Sequence, residues 1–309
     1  MLSADTNIAT RKILVLGGHG FIGRHAVSAL IESNQDVTIG SRYAKQSMQL
    51  PTVQIKLEAK LHQRDWLAVI EPYDVILNCV GILRPIADAT YDRVHHLAPY
   101  ALAEASASLN KRFIHISAIG LYDRAGSGFI TSKLAGERAI LQVDGDWIIV
   151  RPSLLDGEGG YGAAWLRGIA QLPFFVAPMD AQGGIAALTI EDLAQALVRL
   201  CVLDAKSLNL SQSREFELGG DSAWPFEAYI RGLRRRYTQS KSLCIPIPGW
   251  MARLGAHVCD FFRVTPFSYG HWELLRRDNI PNPNRLPELL ARRPTVVIDN
   301  RDDPIKNIR

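Results

Sequence analysis

Three glycines follow one another as Gly-x-x-Gly-x-x-Gly in Leu16-Gly17-Gly18-His19-Gly20-Phe21-Ile22-Gly23. Residues without a Cβ permit a tight turn and let backbone N–H groups approach a ligand closely, and a helix opening at that point adds partial positive charge. Pyrophosphate is the group such a loop suits. The context supports this: the loop follows an apolar run, Lys12-Ile13-Leu14-Val15-Leu16, and precedes helix-compatible sequence from Phe21 to Glu32. Gly17, Gly20, Phe21, Ile22 and Gly23 are therefore expected at the phosphates of a dinucleotide. The competing reading is a glycine turn that serves only helix–strand packing.

A second cluster selects among dinucleotides. NAD sites of this kind usually carry Asp or Glu at the end of the second strand, accepting from the ribose hydroxyls. Here the strand ends Ile39-Gly40-Ser41-Arg42. A carboxylate would repel a 2′-phosphate, whereas a hydroxyl and a guanidinium would bind one. Ser41 and Arg42 thus favour NADP(H), with NAD(H) left open. Arg24 is a further candidate for phosphate charge, and Glu58 for the adenine amino group.

These residues need a frame, and the first half of the chain supplies it. Short β-branched runs at 12–16, 36–39, 53–55, 74–77, 112–116 and 147–150 alternate with helical stretches at 21–32, 99–109 and 132–141. Continuous apolar strands separated by helices predict an α/β fold, a doubly wound parallel sheet covered on both faces. After Arg151 the rhythm changes. A glycine-rich loop covers 155–162, a strand is expected at 185–190, a helix at 191–203 and a short strand at 215–218. The expected division is a nucleotide-binding domain over 1–155, with strands contributed from about 185–220, and a smaller C-terminal α/β lobe over 156–309.

Several motifs in order carry a family resemblance. Besides the glycine loop there are Asn78-Cys79-Val80-Gly81 after the fourth strand, His115-Ile116-Ser117 on the fifth, Ser132-Lys133-Leu134-Ala135-Gly136-Glu137, and Arg151-Pro152-Ser153 after the sixth. Over roughly residues 11–220 the chain resembles an extended or atypical short-chain dehydrogenase/reductase of the epimerase/dehydratase-like kind. The resemblance implies a Rossmann-type fold and a substrate lobe built from the C-terminal part. It also implies that Cys79, Val80 and Gly81 line the ribose and diphosphate, that Ser117 borders the cofactor, and that Pro152 and Ser153 face the nicotinamide.

One departure bears on activity. The family's proton-transfer pair is a Tyr followed four residues later by a Lys, and Lys133 places Phe129 at the tyrosine position. Phenylalanine cannot give or take a proton. Ser117 also falls too early to be the family's carbonyl-polarising hydroxyl. Lys133, the surviving catalytic-position residue, is left as a ligand to the nicotinamide ribose. Tyr91, His95, His96, His115 and Tyr122 are the candidates for a relocated proton donor. The pattern is similar to the NADPH-binding accessory subunit of respiratory complex I, which keeps the loop and the lysine stretch. That implies NADPH held as a structural or sensing ligand in a regulatory or assembly factor. The alternative is an NADP-dependent oxidoreductase or sugar-nucleotide epimerase/dehydratase-like enzyme with a relocated donor and a small-molecule substrate.

Composition sets the outer bounds. The chain has 309 residues, 47% hydrophobic and 21% charged, the proportions of an ordinary globular protein. No apolar run reaches the roughly 18 residues a membrane span needs. The stretch up to Arg11 carries no apolar core for a secretory signal, and the four cysteines show no Cys-x-x-Cys spacing. A cytoplasmic protein, peripheral at a membrane at most, is expected. Net charge is +4, but from Asp221 onward 15 Lys and Arg face 9 Asp and Glu. A basic lobe can meet a protein partner or a membrane surface; no nucleic-acid motif accompanies it. In that lobe 224–237 and 247–264 are two amphipathic, aromatic-rich candidates. Trp250, Leu254, Phe261 and Phe262 are expected as core beneath a substrate cleft. The alternative is a docking face rimmed by Arg231, Arg234, Arg235 and Arg236.

Overall fold

Alternation of apolar side chains decides the architecture. In the computed structural model, which describes residues 9–43, 50–263 and 265–298, the first half forms β1 (Lys12–Leu16), α1 (Phe21–Glu32), β2 (Asp36–Ser41), β3 (Thr52–Gln54), β4 (Val75–Asn78), α2 (Ala98–Ser108), β5 (Arg112–Ile116), α3 (Gly128–Leu141) and β6 (Trp147–Pro152). Next come α4 (Tyr161–Gln171), β7 (Phe174–Pro178), α5 (Ile190–Val202), β8 (Glu215–Leu218), α6 (Phe226–Arg235), β9 (Leu243–Ile247), α7 (Gly249–Phe262) and α8 (Tyr269–Leu275). Seven strands pair in the order β8-β6-β5-β4-β1-β2-β3, all parallel.

Successive residues of each strand point to opposite faces, and both faces are covered. Ile13, Val15, Leu77, Ile114 and Val150 pack under α1 and α5. Leu14, Leu16, Ile76, Phe113 and Ile149 pack under α2 and α3 with Trp66 between. The sheet is thus doubly wound and Rossmann-like. Strand order reverses beside β1, and the register Leu16–Asn78–His115 brings the loops after β1, β4 and β5 to one edge. That edge is where an open α/β sheet holds its ligand.

Several expectations need correction. The strand expected at 185–190 is two short pairings outside the main sheet: Gly184–Ile185 meets Trp224–Pro225, and Leu188–Thr189 meets Leu155–Asp156. Helix α3 begins four residues before 132, because Ser127 caps it by accepting from the Phe129 N–H at 3.2 Å. The proline-punctuated stretch 281–294, which reads from sequence as a surface wrap, contributes to the core: Leu286 and Leu289 are buried under α5, and Asn284 bonds Gly219. The N-terminal stretch up to residue 8 and Val264 lie outside the described residues.

The C-terminal lobe departs furthest. Its core is Leu166, Phe175, Trp224, Phe226, Tyr229, Ile230 and Leu233. Trp250, Leu254, Phe261 and Phe262 are not core but face outward. Nor do the arginines of α6 form a free rim. Arg231 pairs with Glu227, Arg234 is buried against the carbonyls of Ala170 and Leu172, and Arg236 pairs with Asp156. Among the described residues no helix is long and apolar enough to cross a membrane.

Candidate dinucleotide cleft and the aromatic site beside it

The glycine loop is built to exclude side chains. Gly17 has φ +74°, a left-handed backbone, and a Cβ there would meet Val80 and the Cys79 carbonyl carbon at 3.1–3.3 Å. A Cβ on Gly23 would stand 2.2 Å from the Gly17 oxygen. The Gly17 N–H donates to Gly40 O and the Gly20 N–H to Gly17 O, closing the turn against β2. Gly20 is the N-cap of α1 and offers no side-chain acceptor, so the first-turn N–H groups are uncapped. These features fit a dinucleotide: a close backbone approach and unmet donors where a pyrophosphate would lie.

A cleft of about 220 Å³ runs along this edge, lined by Gly17, Gly20, Ser41, Arg42, Cys79, Val80 and Gly81 among others. Seven expected site residues therefore share one crevice. Phe21 and Ile22 contribute backbone only: the Phe21 ring packs on Gly157 and Gly160, and Ile22 faces the core. Arg24 is not a free cation, since it donates to Glu158 O at 2.6 Å. The Cys79 thiol is pushed up by burial, with the Cys201 thiol behind it, and carries no nucleophilic character.

Glu58 is the residue whose role the sequence did not reveal. It lines the same cleft and pairs with Arg42 at 3.2 Å. Arg42 thus faces a carboxylate on one side and the cleft on the other.

Lys133, Ser117 and Pro152 form a second group, at the ends of β5 and β6. Lys133 is 7% exposed, and among the described residues its ammonium donates one hydrogen bond, a long one of 3.4 Å to Ile116 O. Burial lowers its pKa to about 8, and Glu137 pulls it partly back. Nearby, Ser117 Oγ and His115 Nε2 are buried with no hydrogen-bond partner among the described residues. Asn78 donates to His115 Nδ1 at 3.1 Å and accepts from the Val80 N–H. His115 is depressed to about 3 by burial and by Lys133, so it is neutral. Three under-satisfied polar groups at one edge fit the ribose and carboxamide of a nicotinamide nucleotide. Pro152 closes β6 beside Leu218, and its carbonyl accepts from Ile119. Ser153 is committed to Asn279, which also bonds Leu154 and Ile119 and ties the loop after β5 to the C-terminal lobe.

Phe129 stands on the first turn of α3, with the Lys133 ammonium 5.7 Å from its ring centroid. Three rings surround it: His95 edge-on at 5.5 Å, Tyr91 edge-on at 6.3 Å and His271 stacked at 6.2 Å. Four of the five candidates for a relocated donor are held elsewhere; the fifth, neutral His115, keeps its Nε2 unpartnered among the described residues. Tyr91 OH donates to Leu83 O at 2.7 Å, and Tyr122 OH to buried Glu273 at 2.9 Å. His95 Nε2 accepts from the Ile82 N–H, so its Nδ1–H faces Ser132 Oγ at 3.0 Å, and the serine donates onward to Phe129 O. Burial drives His95 well below its ordinary pKa. His96 pairs with Asp92 at the surface.

The rest of the lysine motif is structural. A Cβ on Gly136 would overlap His95 O at 1.9 Å, and Glu137 is a bidentate partner for Arg151 at 2.7–3.0 Å. Glu273 also accepts from the Gly126 and Ser127 N–H groups, so α8 fixes the loop that starts α3. Arg84, after β4, donates to Asp260, Thr265 O and Phe267 O and seats the C-terminal lobe on the sheet. A broader depression of about 490 Å³ lies beyond the loop after β5, between Tyr122, Gly183 and Arg276–Asp278, with Arg277 3.7 Å above the Tyr122 ring.

Fold and cleft are those of a nicotinamide-dinucleotide-binding domain, and residues 17–168 match the family model described as NAD(P)H-binding. Its relatives place it more narrowly. The chain is 26% identical over 196 residues to the ceramide reductase of Caulobacter vibrioides, covering 61% of this chain and 60% of that protein. It is 23% identical over 265 residues to the mitochondrial NADH dehydrogenase [ubiquinone] 1 alpha subcomplex subunit 9 of Dictyostelium discoideum, covering 82% of this chain and 71% of the other. Among solved structures, MoeE5 in complex with UDP-glucuronic acid and NAD superposes with a TM-score of 0.64 at 17% identity, over 92% of this chain and 94% of that one. The epimerase likeness is one of fold. The kinship to complex I accessory subunits is one of sequence.

Proposed function

We propose that this protein holds NADP(H) with little or no turnover and serves as a regulatory or assembly factor. The observation that carries the reading is the ring of Phe129 over Lys133, with Tyr91, Tyr122 and His95 already bonded elsewhere. When bound, a reduced nicotinamide supplies two electrons and one proton to an acceptor carbon. The second proton must come from the protein, and the two unpartnered groups near Lys133, the neutral His115 ring and the Ser117 hydroxyl, are too weak as acids to deliver it. In this reading Lys133 holds a ribose hydroxyl, a role its buried, weakly bonded ammonium supports. Kinship to the complex I subunits supports an accessory role.

The preference for NADP(H) over NAD(H) rests on Ser41 and Arg42 at the cleft and on the lack of a carboxylate closing β2. Glu58 opposes it by occupying Arg42, so the two effects are separable. A charge-assisted hydrogen bond contributes about 1.5–3 kcal/mol, roughly ten- to a hundredfold in affinity. NADPH should therefore raise the melting temperature more than NADH at equal concentration. Arg42→Ala should abolish the difference, and Glu58→Gln should widen it severalfold by freeing Arg42. Equal stabilisation of the wild type by both cofactors would refute the preference.

A second reading is favoured by kinship to the Caulobacter ceramide reductase: an NADP-dependent reductase whose proton comes from a group other than residue 129. Its mark would be steady consumption of NADPH by the wild type with a carbonyl substrate.

A further inference from the structure

Helix α7 is built the wrong way round for a helix that ends its packing within this chain. Its buried residues are small, Ala252 and Ala256, which meet Trp272 with Tyr269 alongside. Its large apolar residues point away: Trp250 is 68% exposed, Leu254 59% and Phe261 81%, with Met251, Val258 and Phe262 beside them. At 3.6 residues per turn these six fall within an arc of about 120°, opposite the buried alanines, and run about 18 Å along the axis. Arg253 and His257 lie at the border of that arc.

The strands leading into the helix extend the strip. β9 pairs with β7 so that Phe174 stands beside Leu243 and Val176 beside Ile245, all four exposed. β9 then passes through Pro248 directly into α7. A monomer seldom leaves so large an apolar face open unless something covers it.

Charge decides what covers it. From Lys241 to Arg263 the basic residues are Lys241, Arg253 and Arg263, and the single acid is Asp260. That carboxylate is already taken by Arg84 at 2.9 Å and by the Tyr269 N–H. The strip therefore carries net positive charge beside tryptophan and phenylalanine. A second copy would set arginine against arginine. A bilayer with anionic headgroups satisfies both features, since it accepts an apolar face of any outline and attracts the cations at its edge.

We propose that α7, with the outer face of β7 and β9, lies in the plane of an anionic membrane surface and docks the protein there. This stands apart from whether the cleft turns over its cofactor. The test is cosedimentation of the full chain with vesicles of phosphatidylcholine alone or mixed with phosphatidylglycerol, together with tryptophan emission. Binding to the mixed vesicles with a blue shift is expected, weakened by salt. Trp250→Ser with Phe261→Ser should lower the affinity more than about tenfold, since each deletes an inserted aromatic side chain. Arg253→Glu should weaken binding to mixed vesicles selectively. Trp250→Phe should abolish the shift while retaining most of the binding. Stabilisation by NADPH should be unchanged in all three, which shows that fold and cleft are intact. Failure to bind mixed vesicles, or sedimentation as a dimer that the paired serine variant dissolves, would overturn the proposal.

Discussion

Phe129→Tyr should turn a protein that keeps its cofactor into one that consumes it. The substitution adds one hydroxyl to a ring that already stands beside Lys133 on the first turn of α3. Residues four apart share a helix face, so the new phenol and the ammonium would act on the same point in the cleft. The positive charge beside it would lower the phenol's pKa and ready it as a proton donor. General acid–base transfer is worth about 10²–10⁴ in rate, and the gain should fall near the lower end, about a hundredfold, because Ser117 is placed too early to orient a carbonyl. The measurement is loss of reduced nicotinamide absorbance with a panel of ketones and aldehydes. Wild type and variant should bind NADPH alike. A wild type as fast as the variant would mean that a proton reaches the site by another route.

Lys133→Met should separate fold from ligand, moving the two in opposite directions. The ammonium is buried with one long hydrogen bond, and its pKa falls from 10.5 to about 8. Below pH 8 it is charged in the folded and unfolded states alike, and the folded state bears a desolvation cost on the order of 3 kcal/mol. Between about pH 8 and 10.5 the folded chain has shed the proton and the unfolded chain has not, so stability from this group rises with pH across that window. Methionine has similar length and no charge. The cofactor-free variant should therefore melt a few degrees higher than wild type at pH 7, and the upward trend above pH 8 should vanish. Its response to NADPH should shrink, because the ribose ligand is gone. If stability and cofactor response fall together, Lys133 is a structural residue and the assignment of its role fails.

What the sequence disclosed and what it concealed divide along physical lines. The glycine loop and the seven strands of the parallel sheet follow from spacing and periodicity, and each of those strands starts within a residue or two of where it was expected, whereas the strand expected at 185–190 does not form as one. The cleft from Gly17 to Gly81 could be read because its members sit at the ends of successive strands, where parallel register must bring them together. The partners of those residues could not. Glu58 meets Arg42 across a loop, Glu273 reaches the start of α3 from more than 140 positions away, and Asn279 joins three segments distant in sequence. Nothing local marks such long-range hydrogen bonds. The α7 stripe shows a different gap: periodicity revealed that Trp250, Leu254 and Phe261 share a face, but not that the alanines opposite them are the buried side. The arginines of α6 were misleading for the same reason, since a run of charge does not reveal that Arg234 turns inward to cap two carbonyls.

The account stands or falls on whether the cleft retains NADPH unspent. Purified wild-type protein should be titrated with NADPH while energy transfer from its tryptophans to the nicotinamide is followed, then held at saturation with candidate carbonyl acceptors as the reduced cofactor's absorbance is recorded. Saturable binding near one equivalent, followed by absorbance that stays level over hours, is the predicted result. Absence of binding, or a steady decline sustained over many equivalents of NADPH, would contradict it.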